Sequence, residues 1–231
     1  MVKKIKVIGK DIIGFDELNN AFHLNSSFNI RFPLIVCGYL IRDYAGSSNH
    51  QYTYYTGKKK VFTRAGHSKE EVLKRSRKYI SENPNFYYST LYPREVNQDK
   101  TKIRAEAIAA ITLNFILNYQ LKQENVVLVL DKMDSAGFSQ DVSHYCREFL
   151  AMSGLSIPIK IQENADKRNP VVKRADRIAY YIGAIKFKCG VGKWPKRERK
   201  VDLRFLIDLI LKVRNPQEKT SVLEAIASEF D

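Results

Sequence analysis

The sequence predicts an α/β protein with one mixed sheet, in which antiparallel strands come first and parallel strands with helical crossovers follow. Short β-rich runs occupy much of residues 4–42, and from residue 101 onward helices alternate with apolar strands. The 231 residues are 44% hydrophobic and 11% aromatic, which is enough for a substantial core. We expect an α/β domain over residues 1–189 and a basic loop with a helical C-terminal extension over residues 190–231.

The first part of the predicted domain consists of short strands separated by polar turns. Residues 12–15 form an apolar strand that ends on Asp16 and Glu17, and residues 33–42 form a second strand. Residues 51–63 are rich in Thr and Tyr on both sides of a glycine, which predicts a hairpin with three lysines at its tip.

A long buried helix and an apolar strand form the centre of the chain. Residues 101–122 contain no Gly or Pro, and counting back from Leu113 at helical spacing leads to Glu106. A carboxylate therefore heads an apolar helical face. Residues 126–130 are uniformly aliphatic, which predicts a central strand covered on both faces, and Asp131 follows at its carboxyl end. Ligands bind at this edge in open α/β sheets.

The other elements follow from caps and periodicity. Ser68 and Glu71 form a capping-box pattern, Ser139 is the expected N-cap of a later helix, and Pro170 is placed at a first helical position. The helix after Pro170 carries Asp176 on its apolar stripe. The predicted ranges are helices over 68–81, 139–152, 170–187, 201–213 and 216–229, and strands over 85–92 and 156–162.

Charge and cysteine content restrict the class of protein. The 39 Lys and Arg residues against 25 Asp and Glu give a net charge of +14, which favours a polyanionic partner, with nucleic acid ahead of an anionic membrane surface. No apolar run approaches ~20 residues, so we expect a soluble, cytoplasmic protein without a membrane partner. Cys37, Cys146 and Cys189 have no paired spacing and predict buried thiols instead of a disulfide or zinc site.

Four acidic residues recur at the positions where a sheet edge and helices could bring them together. Each alone has an ordinary explanation, as a turn residue or a charge that favours a helix dipole. Buried carboxylates are costly unless a cation or base compensates them, and hard divalent ions such as Mg²⁺ or Mn²⁺ suit all-carboxylate ligands. The four candidates are Asp16, Glu106, Asp131 and Asp176.

Several motifs resemble the ribonuclease H family. The segment KIRAEAIAAITL (102–113) is similar to the Arg-x-Glu helix of that family, and the strand after it ends on an Asp, as it does there. The segment NPVVKRADRIA (169–179) resembles the family's last motif, and IGFDE (13–17) resembles the first-strand Asp, with the Asp-Glu pair of type 2 ribonucleases H. The resemblance covers roughly residues 10–187 in element order.

The resemblance implies that Asp16, Glu106, Asp131 and Asp176 form a quartet that binds two Mg²⁺ or Mn²⁺ ions. Asp166 is an alternative fourth ligand, because ADKRNPVV is similar to the setting of the last Asp in type 2 enzymes; we favour Asp176 for its apolar face. The chain departs from the family where Lys132 stands in place of a usual Ser, and where the loop at 163–169 lacks a His.

The expected activity is hydrolysis of phosphodiester bonds by a two-metal mechanism, with an RNA–DNA hybrid as the first candidate substrate. A repair or junction nuclease that cuts DNA on the same fold, and a non-catalytic nucleic-acid-binding module, are the alternatives. The residues expected to contact phosphates are Lys58, Lys59, Lys60, Lys132, Lys167, Arg168 and Arg174.

Overall fold

A computed structural model of the chain describes residues 11–18, 34–42, 68–91, 100–121, 126–131, 137–165, 169–185 and 199–201. The elements in chain order are β1 (Asp11–Leu18), β2 (Leu34–Arg42), α1 (Lys69–Glu82), β3 (Phe86–Leu91), α2 (Lys100–Asn118), β4 (Val126–Asp131), α3 (Phe138–Met152), β5 (Ile159–Ala165) and α4 (Pro170–Gly183).

The five strands form one mixed sheet in the order β3-β2-β1-β4-β5. β1 pairs with β2, and β2 with β3, in antiparallel fashion, whereas β1 pairs with β4, and β4 with β5, in parallel. The predicted α/β class with antiparallel strands first and parallel strands after is therefore confirmed. Phe15 is in register with Leu130, so the residues that follow them, Asp16 and Asp131, stand at the same level of the sheet.

Helices cover both faces of the sheet. Ile13 and Phe15 pack in the core cluster beneath α2 and α3, while Ile12 and Cys37 belong to the cluster under α4. Gly14 allows α4 to lie directly on β1, because a Cβ there would stand 2.5 Å from the Val171 side chain and 2.6 Å from backbone atoms. This close approach fixes the height of α4 above the end of β1.

The predicted boundaries are correct for most elements, and the starts of α3 and β5 differ from the prediction. Ser68 caps α1, since its Oγ accepts a hydrogen bond from the Glu71 N–H at 3.2 Å. Ser139, expected to be an N-cap, lies inside α3, because Gly137 at φ 92° forms the left-handed turn that starts this helix. The strand expected over 156–162 is β5, which begins three residues later because Pro158 has no N–H for strand pairing.

Other predictions are partly covered by the described residues. α4 starts at Pro170, as predicted, and Asn169 is its cap; its α-helical part ends at Gly183, while the predicted end at 187 lies outside the described residues. Cys37 and Cys146 are buried free thiols, as expected. The hairpin at 51–63, Cys189 and nearly all of the two C-terminal helices lie outside the described residues. None of the helices in the described ranges is long and apolar enough to cross a membrane.

Candidate functional site at the ends of the central strands

Three of the four predicted acids are brought together by β1, β4 and α4. Asp16 and Asp131 follow paired residues of adjacent parallel strands. Asp176 lies on α4, whose neighbouring residues Val172 and Ala179 are buried against the same sheet face. The charges of Asp176 and Asp131 both act on the Asp16 carboxyl, which places the three groups within one electrostatic environment.

Burial and the neighbouring acids hold a proton on Asp16. Loss of hydration is the largest cause, followed by repulsion from Asp176, and together with Asp131 and Glu17 they raise the pKa of Asp16 from 3.8 to about 8. The Glu17 N–H, which donates to Asp16 Oδ1 at 2.6 Å, opposes this rise. Asp131 and Asp176 therefore surround Asp16 with negative charge, and a bound cation would stabilise this charge together with the ionised form of Asp16.

Cys37 lies beside Asp16, in register with it on the neighbouring strand β2. Burial, and then the charges of Asp16 and Asp176, raise the pKa of its thiol well above the ordinary value. A thiol kept protonated in this way is a poor nucleophile and a poor metal ligand. Cys37 is therefore part of the apolar support of the site.

Glu17 points to the opposite face of the sheet, towards α2. Its Oε1 accepts a hydrogen bond from Arg104 Nε at 2.8 Å and forms an ion pair with Arg104 Nη2 at 2.7 Å. The side chains of Glu17 and Arg104 are 9% and 26% exposed, and the guanidinium also lies 5.2 Å from the centre of the Phe138 ring. Burial raises the pKa of Glu17, Arg104 opposes this, and the charge of Asp131 adds to the rise. The pair thus borders the three aspartates from the other side of the sheet.

Glu106 is directed elsewhere, towards α3. Its carboxylate accepts a hydrogen bond from the Tyr145 hydroxyl and interacts with the charges of Glu148 and Lys102. Burial, as the largest cause, raises its pKa. The structure therefore does not bring Glu106 into the electrostatic environment of the three aspartates.

The periodicity of α2 explains this difference. Arg104 reaches β1, and Ile111 and Phe115 meet Gly38 of β2, so these residues define the side of α2 that faces the sheet. Glu106 follows Arg104 by two residues, or about 200° around the helix. α2 is apolar on two sides, one against the sheet and one against α3, and the stripe that contains Glu106 is the second. Sequence periodicity alone does not distinguish these two sides.

Arg174, the one predicted phosphate contact in the described residues, has structural partners. Its Nη1 donates to the Tyr39 hydroxyl at 2.8 Å and to Asn83 Oδ1 at 3.0 Å, and its guanidinium lies 5.3 Å from the centre of the Tyr39 ring. It joins α4 to β2 and to the end of α1. The other predicted contacts, and the alternative ligand Asp166, lie outside the described residues: Lys58, Lys59, Lys60, Lys132, Lys167 and Arg168.

The donor chemistry of the site fits a hard divalent cation. Asp16, Asp131 and Asp176 offer only carboxylate oxygens, which Mg²⁺ and Mn²⁺ prefer. In the part of the chain that the structure describes, however, no group of three or more Asp, Glu, His or Cys side chains is close enough to hold an ion. Two further acids, Asp134 and Asp166, which follow β4 and β5 in the sequence, are outside that part. The aspartates thus supply suitable ligands that are not arranged as a closed coordination shell.

Sequence analysis named Asp16, Asp131 and Asp176 as candidates but did not predict the Glu17–Arg104 ion pair. The signal for this pair was available, since a carboxylate directly after Asp16 must point to the opposite face, where α2 begins. Neither protein-family models nor curated proteins include a match to this chain.

Proposed function

We propose that this chain is a divalent-metal-dependent nuclease of the ribonuclease H-like type, which hydrolyses phosphodiester bonds by a two-metal mechanism. One observation carries the proposal: Asp16, Asp131 and Asp176 come from three different elements to one sheet edge, where their mutual repulsion and burial raise the pKa of Asp16 to about 8. Such an arrangement costs folding free energy, and a bound cation offsets that cost.

The architecture supports the proposal. The five-stranded sheet is compatible with a ribonuclease H-like layout. In it β1, β2 and β3 are antiparallel, and β4 and β5 lie parallel to β1 on its other side. Its strand-end acids stand where α/β sheets bind ligands. The motifs around Asp16, Arg104 and Asp176 have the order along the chain that the resemblance implies.

In this proposal Asp16, Asp131 and Asp176 hold Mg²⁺ or Mn²⁺. Two such ions, when bound, supply an activated water and neutralise the charge on the leaving oxygen. Glu17 lies on the opposite face of the sheet, and its charge acts on both Asp16 and Asp131 from there. Arg104 holds Glu17 on that face through an ion pair and a hydrogen bond from Nε. Glu106 is the fourth ligand that the resemblance implies, and its carboxylate contacts α3.

The proposed substrate is an RNA–DNA hybrid. DNA is the alternative substrate, because its phosphodiester bonds would be hydrolysed by the same chemistry. The net charge of +14 supports a nucleic-acid substrate in either case, since phosphates are bound through lysines and arginines. Contacts to 2′-hydroxyl groups would distinguish the two.

Cleavage of labelled hybrid, duplex RNA, single strands and branched DNA tests the proposal, with Mg²⁺, Mn²⁺ or EDTA. We expect metal-dependent cutting that Asp131→Asn abolishes, because this change removes a ligand charge without altering side-chain size. Glu163→Gln on β5 is the matched control, since Glu163 is an exposed carboxylate on the adjacent strand. Binding of nucleic acid in EDTA without cutting under any condition would instead identify a non-catalytic binding module.

A further inference from the structure

The two faces of the sheet differ in charge. The helices α1 and α4 together carry eight basic and four acidic residues. On the other face, α2 and α3 carry four basic and three acidic residues. The α1 and α4 layer is therefore the more positive one.

The acid site opens on this same face. Side chains alternate along a strand, so Asp16 points to the side of Ile12, which packs in the cluster under α4. Asp176 belongs to α4 itself. An anionic ligand that reaches the acids from this face first meets the field of α1 and α4.

α1 is attached to α4 along its length. Val72 clusters with Ala184 near the start of α1, and Tyr79 contacts Tyr181 with 4.7 Å between ring centres. At the end of α1, Asn83 accepts a hydrogen bond from Arg174 at 3.0 Å. The two helices are therefore antiparallel, and the end of α1 lies next to the part of α4 that carries Asp176.

The outer face of α1 carries two cations that have no ion-pair partner among the residues the structure describes. Arg75 pairs with Glu71, and Lys78, which is 75% exposed, lies 3.8 Å from Glu82. Lys74 and Arg77 are exposed and make no ion pair with any residue that the structure describes. Buried Val72, Ser76 and Ile80 occupy the opposite side of the helix, so Lys74, Arg77 and Lys78 project away from the core.

We propose that the outer face of α1 binds the phosphate backbone of the nucleic acid whose cleavage is proposed above. Lys74 and Arg77 contact phosphates. Because α1 packs on α4, the nucleic-acid backbone bound by α1 lies on the same face as the aspartates. The inference rests on the proposed function for the identity of the ligand. It adds a binding surface outside the motifs that resemble the ribonuclease H family.

Charge reversal on α1 tests this surface. The double variant Lys74→Glu/Arg77→Glu is compared with Lys160→Glu/Arg147→Glu, which changes net charge equally at exposed positions of β5 and α3. Binding of a fluorescent 20-base-pair hybrid is measured by anisotropy in EDTA at several KCl concentrations. We expect the α1 variant to bind about tenfold more weakly, with a slope of log K against log salt that is smaller by about 2, and the control to bind within about twofold of the wild type.

Equal weakening in both double variants would overturn the proposal, because it would indicate a general effect of net charge. Binding of the wild type to anionic lipid vesicles but not to the hybrid would also overturn it. Since the assay contains no divalent ion, its outcome does not depend on cleavage. A catalytically inactive wild type whose hybrid binding still depends on Lys74 and Arg77 would refute the nuclease and support this surface.

Discussion

The contact between β1 and α4 at Gly14 makes a strong prediction about the substitution Gly14→Ala. An added Cβ would lie 2.6 Å from the carbonyl carbon of Val171 and 2.6 Å from the backbone nitrogen of Val172. Ordinary carbon contacts are about 3.5 Å or longer, so the first turn of α4 must move by about 1 Å. No side-chain rotation can relieve a clash with backbone atoms.

The expected cost follows from overpacking. Forcing a methyl group into a packed core lowers the free energy of unfolding by about 1–3 kcal/mol. The lower conformational entropy of the unfolded chain with alanine offsets about 0.4–1 kcal/mol of this loss. We therefore expect Gly14→Ala to lower the free energy of unfolding by about 1–2 kcal/mol. For a chain of this size the melting temperature then falls by about 2–8 °C. Because α4 carries Asp176, metal affinity should fall as well.

Thermal unfolding and metal titration of Gly14→Ala and Gly183→Ala test this reasoning. Gly183 also lies on the contact between α4 and β1, but an added Cβ there meets first the end of the Leu18 side chain, which can rotate away. Gly183→Ala should therefore change stability by less than about 1 kcal/mol, helped by the higher helix propensity of alanine. Equal melting temperatures for the two variants would refute the proposed backbone contact.

Three further predictions concern titration, the buried ion pair and a helix cap. In EDTA, the free energy of unfolding should fall as the pH rises from about 5 to 8, by at most about 1.4 kcal/mol per pH unit. The reason is that Asp16 in the folded chain, with a pKa of about 8, keeps a proton that the same carboxyl releases in the unfolded chain, where its pKa is 3.8. Urea unfolding at each pH should show a flatter dependence for Asp16→Asn, and an unchanged profile would contradict the assignment. Arg104→Ala should lower the free energy of unfolding in urea by about 2–4 kcal/mol, since it leaves the nearly buried Glu17 carboxylate uncompensated. Substitution of an exposed cation of the same helix, Lys102→Ala, should lower it by less than about 0.5 kcal/mol. Similar losses for both variants would exclude a strong ion pair. Ser68→Ala should lower the free energy of unfolding by about 1 kcal/mol, because it removes the hydrogen bond to the Glu71 N–H. Ser81→Ala, at the exposed end of α1, is the control, and equal losses in the two variants would argue against the cap.

The fold class was predictable from local sequence patterns whose physical cause is known. The aliphatic run before Asp131 is the central strand β4, and Ser68, Asn169 and Pro170 start helices because their side chains and fixed dihedrals suit those positions. The Pro158 effect on β5 was equally local and could have been predicted. The left-handed Gly137 could not, because a glycine in a loop permits many backbone conformations.

The candidate site was predictable where one element determined the direction of a side chain. Asp16 and Asp131 end strands, and Asp176 lies on the single apolar stripe of α4, so their convergence followed from strand order. Glu106 lies on a helix that is buried on two sides, and only the packing of α2 between the sheet and α3 decides which neighbour it meets. The Glu17–Arg104 pair depends on the same packing, which joins residues 87 positions apart in the chain.

Calorimetric titration of Mn²⁺ into the wild type, Asp176→Asn and Glu106→Gln tests the central claim most directly. We expect the wild type to bind Mn²⁺, Asp176→Asn to lose at least about tenfold in affinity, and Glu106→Gln to bind within about twofold of the wild type. Circular dichroism of each variant controls for folding. Absence of Mn²⁺ binding by the wild type, or a loss in Glu106→Gln as large as that in Asp176→Asn, would contradict the assignment of the site to Asp16, Asp131 and Asp176.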